Sequence, residues 1–348
     1  MNMRIFDYGF LKEARLPATM FGKAHMIGSY MESIAGRMRE KPDVFEKLRH
    51  RAEFLSVKGS NAIEGISTSD ERLTSLMNRD IEPAGHFEEE IAGYRDVLQN
   101  IHSNHKDMDL SVDLVLDMHR ILMGYTVNGG GHYKTSDNVI IHIDEDGTRR
   151  VHFRPLSAKE TPYAMEQSVL AYIDAHQNGV EPLLLIPCFI LDFLSIHPFT
   201  DGNGRMSRLL TLLLLYKSGY DVGRYISFEE RIDFTRKDYY RSLALSSKDW
   251  HDGSNDYVPF MEYYLDVLFM CYRGLDRCFM TIDSRKVTKT NRIEAVIMGS
   301  IVPISKKEIM SMLPDVSQTT VEACLHRMMT EGRIEKIGGN RNARYRRA

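Results

Sequence analysis

No apolar run in this 348-residue sequence is long enough to cross a membrane. The two most apolar windows, 183–196 and 209–216, fall short of the roughly 18–20 residues that a span requires, and Pro187 and Asp192 interrupt the first. The opening MNMRIFDYGF carries an acid and lacks an apolar core, so it does not read as a signal peptide. Cysteine is scarce. Cys188, Cys271, Cys278 and Cys324 stand apart with no C-x-x-C pair and no neighbouring histidine pattern. That argues against a zinc site or disulfide framework and leaves reduced thiols as the expectation. Charge of one sign is also lacking: 45 Lys+Arg against 48 Asp+Glu gives −3, so the whole chain is no polycation for nucleic acid or membrane. There is no internal repeat and no low-complexity stretch. A soluble, cytoplasmic protein with no membrane partner is expected. Composition, 43% hydrophobic and 27% charged, is that of a globular chain, and the length predicts two or three domains.

What charge there is falls unevenly. From residue 284 onward, 13 Lys+Arg face 6 Asp+Glu, a net +7, which leaves −10 for the rest and suggests a separate C-terminal module. Residues 1–108 read as mostly helical, punctuated by Pro17, Pro42 and Pro83. Ser111 is placed to cap a helix with Leu114, Val115, Met118, Ile121 and Leu122 on one face, and Gly129–131 end that segment. Two β-like runs, 139–143 and 149–153, flank an Asp-Gly turn at 144–148 and predict a hairpin. Thr161-Pro162 predicts a capped helix with Met165, Val169 and Ile173 inward, and helical patterning resumes at 183–196 and 205–217.

Between those last two segments lies His197-Pro-Phe-Thr-Asp-Gly-Asn-Gly-Arg-Met-Ser-Arg208. Taken singly, a histidine before proline is more often a packed residue, a G-x-G a turn, and two arginines a solvated face. Together they describe a phosphate site. Gly202 and Gly204 let backbone N–H groups approach a ligand, and a helix starting there adds unpaired N–H groups and its positive dipole end. Arg205 and Arg208 share one helix face and suit phosphate oxygens. Asp201 suits a divalent cation bridging such oxygens, and His197 has an unperturbed pKa fit for a general base near neutral pH.

This segment resembles the signature of the Fic (filamentation induced by cAMP) family, H-P-F-x-D/E-G-N-G-R-x-x-R, with every specified position filled. Gly202 and Gly204 argue against the related Doc-type kinases. The resemblance implies a mainly α fold, a Fic-type helical bundle with a β-hairpin flap. It also implies transfer of AMP from ATP to a Ser, Thr or Tyr hydroxyl of a target protein, itself included. By position, His197 would deprotonate the hydroxyl and Asp201 would bind Mg²⁺. Gly202, Asn203 and Gly204 would form the anion hole, with Arg205 and Arg208 on the phosphates. Val139, Ile140, Ile141 and His142 look like the flap that covers the nucleotide and offers an edge for strand addition, against simple hairpin packing. Tyr239 and Tyr240 sit where relatives place adenosine contacts, against plain core. Ser247 stands where some relatives have a polar adenosine ligand. Ser60-Asn-Ala-Ile-Glu64-Gly65 is a common helix ending in isolation, but beside the signature it resembles the family's inhibitory motif. The implied role is that Glu64 pairs with Arg208 and withholds it from the γ-phosphate. Removal of AMP with Glu64 positioning water, and a nucleotide-sensing DNA-binding regulator, are the rival readings. An intact His197 argues against the regulator. A homodimer is left open.

Downstream, 303–313, 318–331 and a strand pair around Gly338-Gly339-Asn340 outline a winged helix-turn-helix domain whose partner is either DNA or protein. Ser317, Gln318 and Thr319 would open its recognition helix, but ten of the 13 basic residues lie outside its two helices. The expected organisation is a helical region at 1–108 holding the inhibitory motif at 60–65, a Fic core at 109–255, a helical linker at 256–283 and a winged helix at 284–348.

Overall fold

The longest apolar stretch of the sequence becomes the centre of the fold. The computed structural model describes residues 4–40, 42–143, 149–283, 288–298, 300, 303–313, 316–339 and 343–347. Its helices up to residue 122 are α1 (Ala18–Glu40), α2 (Pro42–Ile63), α3 (Asp70–Met77), α4 (His86–Asn104) and α5 (Val112–Leu122). A hairpin of β1 (Ile140–Ile143) and β2 (Arg149–Phe153) follows. Then come α6 (Thr161–Gln177), α7 (Pro182–Ile196), α8 (Asn203–Lys217), α9 (Phe228–Phe234), α10 (Arg236–Ser247) and α11 (Val258–Asp283). No described helix is long and apolar enough to cross a membrane.

The chain divides into two compact units, Met1–Arg273 and Gly274–Ala348, with the division inside α11 rather than at residue 284. In the first unit α7 and α8 are buried on nearly every side, as helices apolar around their circumference must be. α6 and α10 pack on α7, while α2, α4 and α5 pack on α8. α7 runs through Pro187, as the helical patterning of 183–196 predicts. Packing on all sides outweighs the roughly 3 kcal/mol that an interior proline costs. Asp192, the acid that interrupts the apolar run, is 1% exposed and accepts hydrogen bonds from Tyr8 (2.8 Å), Trp250 Nε1 (2.6 Å) and Tyr257 (2.9 Å). Arg4, 3.5 Å away and over the Trp250 ring, completes this buried cluster and ties residues 4–8 to the middle of α7.

Local signals resolve as follows. Ser111 Oγ accepts the N–H of Leu114 at 3.1 Å and caps α5. α6 begins at Thr161 with Glu160 as its cap residue; the threonine hydroxyl instead donates to Ser157 O at 2.8 Å, and Tyr172 rather than Ile173 continues the buried stripe. β1 and β2 pair antiparallel, Ile140 opposite Phe153 and Ile143 opposite Arg149, with a bulge between Ile140 and Ile141. Val139 precedes the strand, and the turn expected at 144–148 lies outside the described residues. Phe153 stacks on His251 at 5.5 Å and so anchors β2 to the body.

The second unit runs α12 (Lys289–Met298), β3 (Ile304–Ser305), α13 (Lys306–Met312), α14 (Gln318–Thr330), β4 (Ile334–Ile337) and β5 (Arg344–Arg347). Its strands form an antiparallel sheet in the order β3-β5-β4. Ile293, Ile309, Leu313, Val321, Leu325 and Met328 make its core. The sequence reading had no counterpart for α12 or β3. Ser305 and Glu308 form a capping box at α13, and Asn340 of the expected turn lies outside the described residues.

Candidate nucleotide site

His197 caps the C-terminal end of α7 and takes a left-handed conformation, φ 53° and ψ 63°. A non-glycine residue there costs about 1–2 kcal/mol, so the surroundings must hold it. Its N–H donates to Phe193 O at 2.9 Å, and its Nδ1 lies 3.3 Å from Leu194 O. The acceptor assigns the proton to Nδ1 and leaves the Nε2 lone pair open. Burial, with the nearby Lys134 ammonium adding to it, pulls the imidazole down to about 4. At neutral pH the ring is already a proton acceptor, though a weaker base than an ordinary histidine.

After His197 the chain folds back on itself. Asn203 Oδ1 accepts from Phe199 N at 2.9 Å and its Nδ2 donates to Phe199 O at 2.7 Å. The Asn203 side chain is therefore used by the loop, and only its backbone N–H remains for an anion. Gly202, at φ 81°, turns the chain into α8, a conformation that side chains resist. The first i−4 bond runs from Met206 N to Gly202 O, so the N–H groups of 203–205 have no helical acceptor and are the helix's anion-binding donors.

The two arginines differ. Arg205 is 1% exposed and ion-paired with Glu90, itself 4% exposed, and its NH2 lies 3.4 Å from Asp201 Oδ1. The guanidinium expected on phosphate thus starts out ion-paired with Glu90, whose carboxyl burial pushes up despite that partner. Arg208 Nε donates to Ser60 Oγ at 2.8 Å, and its NH2 donates to Ser60 O at 3.0 Å and to Glu64 Oε1 at 2.8 Å. Glu64 and Gly65, at φ 78°, form the turn that ends α2. A Cβ on Gly204 would stand 2.2 Å from Glu64 Oε1, so only glycine lets that carboxylate lie against α8.

Glu64, His197, Thr200, Asp201 and residues 202–205 line an open cleft of about 110 Å³. Asp201 is 58% exposed there. Tyr239 is 5% exposed and packed against Phe260 and Tyr263, so the expected adenosine contact is core instead; Tyr240, 45% exposed, keeps an open face. Ser247 is the last residue of α10 and bonds Ala244 O at 3.4 Å. Val139 is 42% exposed and Ile140 half-buried, while the side chains of Ile141 and His142 lie outside the described set.

The sequence reading missed His119, whose ring stacks on Phe199 at 3.6 Å and 7°. Its Nδ1 accepts from Gly131 N at 3.0 Å, which puts the proton on Nε2 to donate to Asp201 O at 3.1 Å. It fastens the loop to α5 and to the hairpin's approach. The available signal was its place beside Met118 on the apolar face of α5. Glu90 carried no such signal, since Glu88-Glu-Glu90 reads as a solvated helix start.

Residues 109–215 match the family model described as the Fic/DOC family. A Fido domain-containing protein of Dictyostelium discoideum is 29% identical over 118 residues, 34% of this chain and 77% of that protein. Protein adenylyltransferase fic-1 of Caenorhabditis elegans is 26% identical over 227 residues, covering 62% of this chain but 40% of that protein. This chain thus spans about two fifths of that adenylyltransferase. The fold is similar to the crystal structure of a Fic family protein from Desulfovibrio desulfuricans G20, with TM-score 0.61 at 23% identity, over 96% of this chain and 97% of that one. The signature at 197–208 lies inside the stretch that matches the Fic/DOC family model, residues 109–215, and the fold is similar to that of a Fic family protein.

Proposed function

We propose that this chain is a protein adenylyltransferase. It transfers AMP from ATP to a hydroxyl on a target protein, itself included, and is held off by Glu64. One observation carries the reading: the open Nε2 of His197 and the unpaired N–H groups of α8 line one cleft. The target hydroxyl gives its proton to His197 Nε2 as its oxygen attacks the α-phosphorus, and the bond to the β-phosphate breaks to release pyrophosphate. Positioning and charge stabilisation supply most of the rate, as in phosphoryl transfers generally. The 203–205 N–H groups take the charge on the α-phosphate. Mg²⁺ fits Asp201: no group of three or more side-chain ligands exists among the described residues, and one exposed carboxylate plus phosphate oxygens is the set that Mg²⁺ accepts. Bound there, it would neutralise phosphate charge. Glu64 holds the guanidinium that a γ-phosphate needs.

The second unit is read as a winged helix. Five of its basic residues pair with acids: Lys306 with Glu322, Arg327 and Arg333 with Glu294, Arg344 with Glu308 and Arg346 with Glu335. That pairing favours a protein-contacting surface over a DNA-reading one. The transfer reading is tested with labelled ATP on the full chain. His197→Ala should slow labelling by on the order of 10² to 10⁴ while the melting temperature stays close to wild type. Labelling at the wild-type rate would refute the assignment. Loss of AMP from a premodified protein, with Mg²⁺ and no ATP, would favour the reverse activity.

A further inference from the structure

The segment between Gly131 and β1 grips the chain on both sides of His197. Lys134, 3% exposed, donates its backbone N–H to Pro198 O at 2.9 Å. Its Nζ donates to Ile196 O at 3.1 Å and to Asn138 Oδ1 at 3.0 Å. Asn138 Nδ2 in turn donates to Phe199 O at 3.2 Å. The carbonyls at 196, 198 and 199 are thus all held by the five residues that lead into the hairpin. The residue they enclose has the left-handed φ of 53°, and this grip opposes its relaxation.

We propose that Lys134 is a positioning residue for His197. Its amide and ammonium fix the carbonyls flanking the imidazole-bearing residue, and the ammonium's charge acts on that imidazole. The groups facing His197 are Lys134 from the hairpin stem, Glu64 from the end of α2 and Asp201 from its own loop. The two carboxylates favour a proton on the ring, and the ammonium disfavours it. On α8, Arg205 and Arg208 are matched by Glu90 and Glu64. Lys134 is the cation near His197 without a salt-bridged carboxylate among the described residues; Asp137 acts on it only at longer range. Burial draws its amine down to about 8, so at neutral pH it is still mainly charged. A change in the hairpin stem is thereby transmitted to both the orientation and the protonation of His197.

That His197 accepts the hydroxyl proton rests on the proposed transfer reaction; its titration can be read without it. The experiment is an NMR titration of the full chain labelled in its 13 histidines, with the His197 signal assigned from the His197→Gln spectrum. The expected midpoint in wild type is well below that of an ordinary histidine. In Lys134→Met it moves upward, and in Lys134→Arg, which keeps charge and donors, it stays low. A Lys134→Met midpoint equal to wild type overturns the proposal. Should that variant not fold, Lys134→Gln, which keeps a donor but no charge, must show the same upward shift. In labelling assays the charge-removing variant is expected to lower kcat far more than it raises KM for ATP. The acid limb of its pH profile should also move to higher pH. A Glu64→Gly variant that transfers no AMP, with the midpoint shift intact, refutes the adenylyltransferase reading and leaves the Lys134 assignment standing.

Discussion

Replacing Glu64 with glycine should make the protein less stable and more active at once. In the resting structure Arg208 has three acceptors: Ser60 Oγ, Ser60 O and Glu64 Oε1, at 2.8, 3.0 and 2.8 Å. Glu64→Gly removes one charge-assisted hydrogen bond, about 1.5–3 kcal/mol. The 3–5 kcal/mol of an abandoned buried charge does not apply, because Ser60 stays. For a unit of this size the melting temperature should drop by roughly 3–12 °C. The freed guanidinium can then make a bond of the same strength to the γ-phosphate. At 1.4 kcal/mol per factor of ten, transfer should rise about 10- to 150-fold. Mg²⁺ with ATP should accordingly raise the variant's melting temperature more than the wild type's. The assays are self-labelling from labelled ATP and thermal melts with and without nucleotide. Arg208→Ala should abolish transfer on either background. Unchanged or lower transfer by Glu64→Gly with an intact melt would refute the inhibitory role, since a simple helix-end residue has no route to raised activity.

Gly204→Ala places a Cβ 2.2 Å from the Glu64 carboxylate and fills the space over the α8 amides. It should expel Glu64 yet still abolish transfer, also when combined with Glu64→Gly; an active double variant contradicts the cradle. Asp192→Ala strands the Tyr8, Trp250 and Tyr257 donors, while Arg4 keeps Trp250 O and Asn255 Oδ1, and should cost about 1–3 kcal/mol per stranded donor in chemical denaturation. A loss under 1 kcal/mol, roughly that of a neutral hydrogen bond, would show that the cluster is dispensable. His119 and His197 are both drawn down to about 4 by burial, so the folded state binds fewer protons than the unfolded one. Their stabilisation is complete above about pH 6.5 and falls away toward pH 4, up to about 3 kcal/mol each. Melts from pH 7 to 4.5 should show the decline, and His119→Gln should flatten it; identical slopes would discount the histidine.

The local chemistry of the loop was legible in the sequence because it is short-range. Glycines at 202 and 204, a helix starting at 203 and a serine cap at 111 each depend on residues within a turn or two. The Glu64–Arg208 pairing came from family resemblance and not from any periodicity, since 144 residues separate the partners. Other features depended on tertiary packing. Arg205 and Arg208 are three apart on one helix, but Glu90 of α4 claims the first and the end of α2 the second. Adjacent Tyr239 and Tyr240 part company because one side of α10 meets Phe260 and Tyr263 while the other is exposed. Pro187 stays helical because its neighbours enclose it. His197 has an ordinary side chain in the sequence. Its charge state is set by desolvation and by an ammonium 63 positions earlier, a matter of which distant segments come together. The sequence specified which groups the site holds, and packing decided which of them are spoken for and which are left open to a substrate.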